Sequence, residues 1–135
     1  MGRTGQHAHS VLVVDDYEDI RDVFEEVLAT TGALVIAAGS GHEALDILLD
    51  GFRPCVVLLD VRMPRMDGWT VWQRMQDNAE LVRTPVVMLS TDSADGERAR
   101  RVGIREFLSK PIENERIVAT VERYCERRSA PRSSH

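Results

Sequence analysis

Val11-Leu12-Val13-Val14-Asp15-Asp16 is the stretch on which the fold turns. Four apolar residues in a row, three of them β-branched, suit a strand covered on both faces, as in parallel sheets. Two carboxylates follow at the strand's carboxyl end, where open α/β sheets bind their ligands. Beyond them Ile20, Val23, Phe24, Val27 and Leu28 recur at helical spacing, and Gly32 stands where a helix would stop. Strand and helix therefore alternate from the outset.

The alternation continues. Leu34 to Ala38 is a second strand-like run. Ser40 and Glu43 stand three apart as a capping box, with Ala44, Leu45, Leu48 and Leu49 behind them and Gly51 closing the helix. Cys55 to Leu59 predicts a third strand, and Asp67 to Gln76 a helix burying Val71, Trp72 and Met75. Val86 to Leu89, opened by Pro85, predicts a fourth strand, and Gly96 to Val102 a short helix. Arg105 to Ser109 predicts a more exposed fifth strand. A last helix starts near Ile112, with Ile117, Val118, Val121, Tyr124 and Cys125 on one face. Five strands alternating with five helices imply a doubly wound α/β domain with a parallel sheet. Its expected extent is 10–128, with residues 1–9 and 129–135 as disordered ends.

Composition narrows the function. The chain has 135 residues, enough for one domain, and a net charge of −5. That charge gives no draw toward nucleic acid or an anionic membrane surface. The longest apolar run, Ala33 to Ala38, cannot span a bilayer, and Met1 to Ser10 lacks the apolar stretch of a signal peptide. A cytoplasmic location is the expectation. Cys55 and Cys125 sit among apolar residues and read as buried thiols, and the four histidines form no metal pattern.

The strand ends carry the chemistry. Asp15 and Asp16 follow the first strand, Asp60 the third, Ser90 the fourth and Lys110-Pro111 the fifth. Asp-Asp after a strand is by itself a common helix cap; the combination at successive strand ends is what points to a site. Three carboxylates in one cleft call for a proton or a cation. Mg²⁺, which takes oxygen ligands, suits them. A carboxylate can act as a nucleophile and form an acyl phosphate, while a metal and Lys110 neutralise the transferred group and Ser90 donates to it.

Val11 to Asp16, Leu58 to Gly68, Pro85 to Ser90 and Phe107 to Ile112 together resemble the four motifs of bacterial two-component response-regulator receiver domains. The resemblance covers about residues 10–128. It implies a flavodoxin-like (βα)5 fold with strand order 2-1-3-4-5. It also implies Asp60 as phosphoacceptor, and Asp15, Asp16, Asp60 and the main-chain carbonyl of Arg62 as Mg²⁺ ligands. Lys110 and Ser90 would bind the phosphoryl group, Phe107 would be an aromatic switch, and Lys110-Pro111 would be cis. The implied partners are a histidine kinase or a histidine phosphotransfer protein, and a downstream protein docking on the fourth helix, fifth strand and fifth helix. A phosphorylation-dependent dimer is a further implied state. The implied function is that of a stand-alone switch or relay, not a metabolic enzyme.

Three features depart from the family pattern. Thr91 follows Ser90 where a small residue is usual, which would crowd donor entry. Twenty positions separate Ser90 from Lys110, slightly few, so the fourth helix or the loop before it is short. Arg62 and Asp92 lie two beyond Asp60 and Ser90; opposite charges there predict an ion pair that slows hydrolysis. Three other classes share parts of this pattern. An aspartyl phosphatase lacks its second acid, because Arg62 stands at that position. A flavin site fails at the acidic loop Asp15 to Asp19. A pseudo-receiver that binds partners without phosphorylation is the remaining alternative.

Overall fold

The computed structural model describes residues 9–129. The elements follow in the order β1 (Ser10–Val14), α1 (Glu18–Ala29), β2 (Leu34–Ala38), α2 (Gly41–Leu49), β3 (Val56–Asp60), α3 (Gly68–Gln76), β4 (Val86–Ser90), α4 (Ser93–Val102), β5 (Glu106–Ser109) and α5 (Asn114–Ser129). The strands form one parallel sheet in the order β2-β1-β3-β4-β5. β1, β3 and β4, buried along their whole length, are its middle. β2, apolar but largely half-buried, and the mixed β5 are its edges.

Alternate residues of the central strands face opposite layers. Leu12, Val14, Val57, Leu59 and Met88 pack with Leu48, Val71, Met75 and Ala99 on the side of α2, α3 and α4. Val11, Val13, Leu58, Val87 and Leu89 pack with Phe24, Leu28, Ile117, Val121 and Tyr124 on the side of α1 and α5. Cys55 and Cys125 are buried and outside any disulfide. Burial, then the neighbouring Cys55, pushes the Cys125 thiol up to about 12.

Side chains cap three of the helices. Ser40 Oγ accepts from Glu43 N (3.0 Å), and Glu43 Oε1 accepts from Gly39 N (2.7 Å). Asp67 Oδ1 accepts from Thr70 N, and Asp92 Oδ1 from Ala94 N.

The structure corrects the reading in several places. The fourth helix is not short and does not begin at Gly96; it begins at Ser93, capped by Asp92. The short element is the two-residue link of Thr91 and Asp92. Gly96, expected at the helix start, lies inside the helix, where a Cβ would come within 2.9 Å of the Phe107 ring. Val23 (46% exposed) and Leu49 (59%) lie off the buried faces of their helices. Trp69 is buried under the Arg98 guanidinium, 4.4 Å from the ring centre, while Trp72 is half-buried. Arg123 Nη2 donates to both carboxylate oxygens of Glu106 (2.6 and 2.8 Å), tying α5 to β5. The expected disordered ends lie outside the described residues, except that the His9 carbonyl accepts from Leu34 N and α5 runs on to Ser129. Among the described residues no helix is long and apolar enough to cross a membrane.

Candidate functional site

Strand register levels the site. Val14 pairs with Leu59, Asp60 with Leu89, and Ser90 with Ser109. The residues just past β1, at the end of β3 and just past β5 therefore meet at one carboxyl edge. Gly68, the first residue of α3, lets that helix sit against the backbone of Asp60; a Cβ there would lie 2.6 Å from the Asp60 carbonyl oxygen.

At this edge one carboxylate oxygen each from Asp15, Asp16 and Asp60 lie within 4.8 Å of one another. Lys110 Nζ donates to Asp15 Oδ2 and to Asp60 Oδ1, both at 2.9 Å. Asp15 is fully buried; its Oδ1 accepts from Tyr17 N, and its main-chain carbonyl accepts from Arg21 Nη1. Asp16 Oδ1 is buried with no hydrogen-bond partner. A buried acceptor left so is costly, and a cation among the three carboxylates would supply its partner. The donor set is hard oxygen, and the cluster can hold a divalent metal of the Mg²⁺ type.

Burial raises the Asp60 carboxyl above its ordinary value. Lys110 opposes that shift, and the Asp15 and Asp16 charges add to it. Burial would lower the Lys110 ammonium, but its hydrogen bonds to Asp15 and Asp60 outweigh that and hold it above its ordinary value. Lys110 is therefore charged throughout the physiological range.

Ser90 is buried at the end of β4, yet its hydroxyl is engaged elsewhere. Oγ donates to Asp95 Oδ2 at 2.6 Å and accepts from Asp92 N at 3.1 Å. Arg62 Nη2 meets Asp92 at 3.1 Å, so the predicted pair forms. Its main contact is with Asp95: Nε to Oδ2 at 3.1 Å and Nη2 to Oδ1 at 3.0 Å. Thr91 is exposed, Phe107 is half-buried against Gly96, and the Lys110-Pro111 peptide is cis. Sequence reasoning passes over Asp95. An acid in the first turn of a helix reads as a complement to the dipole, and nothing in its spacing announces contacts to Arg62, 33 residues away in the chain.

A doubly wound sheet of this order, with an acidic cluster and a lysine at its carboxyl edge, defines the chemotaxis-receiver class of flavodoxin-like folds. The chain belongs to the response regulator receiver domain family, whose model matches residues 11–122. That family serves two-component signalling and is not made of classical enzymes. Protein PilG of Pseudomonas aeruginosa is 33% identical over 114 residues, covering 83% of this chain and 84% of that protein. The polar-differentiation response regulator DivK of Brucella anthropi is 32% identical over 117 residues, covering 85% of this chain and 94% of its own. The chemotaxis protein CheY4 of Vibrio cholerae superposes with a TM-score of 0.77 at 30% identity, covering 86% of this chain and 98% of that structure.

Proposed function

We propose that the chain is a phosphoryl switch: Asp60 accepts a phosphoryl group, with Mg²⁺, from a histidine kinase or a histidine phosphotransfer protein. One observation carries the reading. Asp60 lies 2.9 Å from the Lys110 ammonium, inside an oxygen cluster whose buried Asp16 Oδ1 lacks a partner.

Asp15, Asp16, Asp60 and the main-chain carbonyl of Arg62 would hold Mg²⁺. The ion would neutralise phosphoryl oxygens and orient the donor. An Asp60 oxygen attacks phosphorus while the bond to the donor's imidazole nitrogen breaks. The departing nitrogen keeps the electron pair and takes a proton, and an acyl phosphate remains on Asp60. An ammonium has three donors. Two of those on Lys110 point at Asp15 and Asp60, which leaves one for an incoming oxygen. The new charge and acceptor oxygens then bias the face of α4, β5 and α5 toward a protein partner or a second copy. A depression of about 430 Å³ between α4 and β5, lined by Gly96, Ala99, Ile104 and Phe107 among others, supports that face as the readout.

Intact mass after incubation with acetyl phosphate and Mg²⁺ tests the reading. One phosphoryl adduct is expected, lost in Asp60→Asn and on chelation of the metal. A folded chain that binds Mg²⁺ and gains no adduct, and that does not respond to beryllofluoride, would instead be a receiver-like module that binds partners without phosphorylation.

A further inference from the structure

We propose that Asp95 is a positioning residue that occupies the Ser90 hydroxyl in the resting state and must give it up when Asp60 carries a phosphoryl group. The inference rests on the phosphoryl-acceptor reading and extends it to a residue outside the acidic cluster.

The argument is one of donor arithmetic. A serine hydroxyl has one O–H to give and lone pairs to receive with. Ser90 gives its proton to Asp95 Oδ2 at 2.6 Å, and its oxygen receives from Asp92 N at 3.1 Å. Phosphoryl oxygens only accept. They can be bound by Ser90 only if the O–H leaves Asp95, so the two anions compete for a single donor. The resting bond is strong of its kind, being short, charge-assisted and buried at both ends.

Asp95 is well placed to compete. Its side chain is 7% exposed, and Arg62 grips both of its oxygens. Arg62 stands two residues beyond Asp60, so one guanidinium ties the start of α4 to the loop that follows the phosphoacceptor. The next residue, Gly96, lies against the Phe107 ring, where even a Cβ would be 2.9 Å from it. Phosphorylation would therefore exchange one Ser90 bond for another. The residue that loses the bond sits beside the aromatic side chain of the readout face. Asp95 sets how far the equilibrium lies toward rest.

The test is a titration of the Mg²⁺-loaded full chain with beryllofluoride, a phosphoryl mimic, followed by ¹⁹F NMR. Asp95→Ala frees the Ser90 proton and should tighten binding about tenfold, the lower end of what a charge-assisted hydrogen bond contributes. Asp95→Asn keeps the shape with a weaker, neutral acceptor; it should tighten binding about threefold and covers the case in which the alanine variant fails to fold. The decisive arm repeats both in a Ser90→Ala background. An effect through Ser90 vanishes there, to less than about twofold, whereas a loosening of the helix or a change in net charge persists. Unchanged or weaker affinity in folded Asp95 variants, or equal tightening without Ser90, overturns the role of Asp95 alone. No binding by the wild type, with Asp60→Asn as the blank, overturns the phosphoryl-acceptor reading itself and this inference with it.

Discussion

Magnesium should stabilise this fold, and the partnerless oxygen of Asp16 sets how the effect is tested. With chelator present, the Asp16 Oδ1 atom is buried without a donor, and the charges of Asp15 and Asp16 add to burial in raising the Asp60 carboxyl. A cation bound only by the folded state adds RT ln(1 + [Mg²⁺]/Kd), about 1.4 kcal/mol for each tenfold above Kd. The unfolding entropy is about 2.1 cal/mol/K per residue. Over the roughly 120 residues described that is about 0.25 kcal/mol/K, so each decade of Mg²⁺ should raise Tm by about 5–6 °C. The assay is thermal denaturation followed by circular dichroism, in chelator and then in rising MgCl₂ at constant ionic strength. Asp16→Asn removes one charged ligand and keeps the shape. Its Tm in chelator should exceed that of the wild type, because a charge that bears on Asp60 is gone, and its rise should begin at about tenfold higher Mg²⁺. A wild-type Tm indifferent to Mg²⁺ would refute the reasoning, as would an Asp16→Asn curve that overlays the wild type.

Four further outcomes are expected. Lys110→Met leaves Asp15 and Asp60 facing each other without a cation; breaking a buried pair costs about 3–5 kcal/mol, and adding Asp60→Asn should restore part of the lost Tm. The raised Asp60 carboxyl favours folding below the unfolded value of 3.8, and that contribution is lost as pH rises through its folded value. In chelator, then, the Tm advantage of Asp60→Asn should grow from below pH 3.8 toward neutrality, and a constant difference would exclude the cause given. Gly68→Ala drives a Cβ into the Asp60 and Val61 backbone, at 2.6 and 3.0 Å, and should cost at least about 1–3 kcal/mol in urea unfolding; Gly39→Ala meets only the movable end of Arg21 and should stay within about 0.5 kcal/mol. If the acyl phosphate forms, Asp92→Ala should shorten its lifetime by no more than several-fold in a decay assay, since its pair with Arg62 is exposed (61% and 50%) and such pairs contribute about 0–1 kcal/mol.

The fold was legible because its central strands are buried on both faces. Val11 to Val14, Val56 to Leu59 and Val86 to Leu89 need no partner information to be read as strands, and the polar residue after each marks the carboxyl edge. The clustering of Asp15, Asp16, Asp60 and Lys110 was legible for the same reason: they are placed by strand ends, and strand ends can be counted. What escaped the sequence is set by packing across elements. The breadth of a buried helix face depends on the helix beside it, so Val23 and Leu49 could not be told from their buried neighbours. Gly96 breaks a helix by propensity, but the nearby Phe107 ring occupies the space a side chain would need. Asp95 finds Ser90 and Arg62 only once the first turn of α4 has docked, and no local pattern encodes that.

The bridge from Lys110 to Asp15 and Asp60 has a consequence for protein synthesis. Its three members lie at positions 15, 60 and 110, so the cation arrives last as the chain is made from its N-terminus. A ribosome adds about 5–20 residues per second. Until the segment beyond β5 emerges, the acidic residues are already out and their counter-charge is not. A half-made or truncated product thus lacks the ammonium that pairs with the Asp60 carboxylate. If Asp60 is the phosphoacceptor proposed above, competence to receive a signal becomes a property of the finished molecule, and a cell that tolerates fragments of this chain should find them silent.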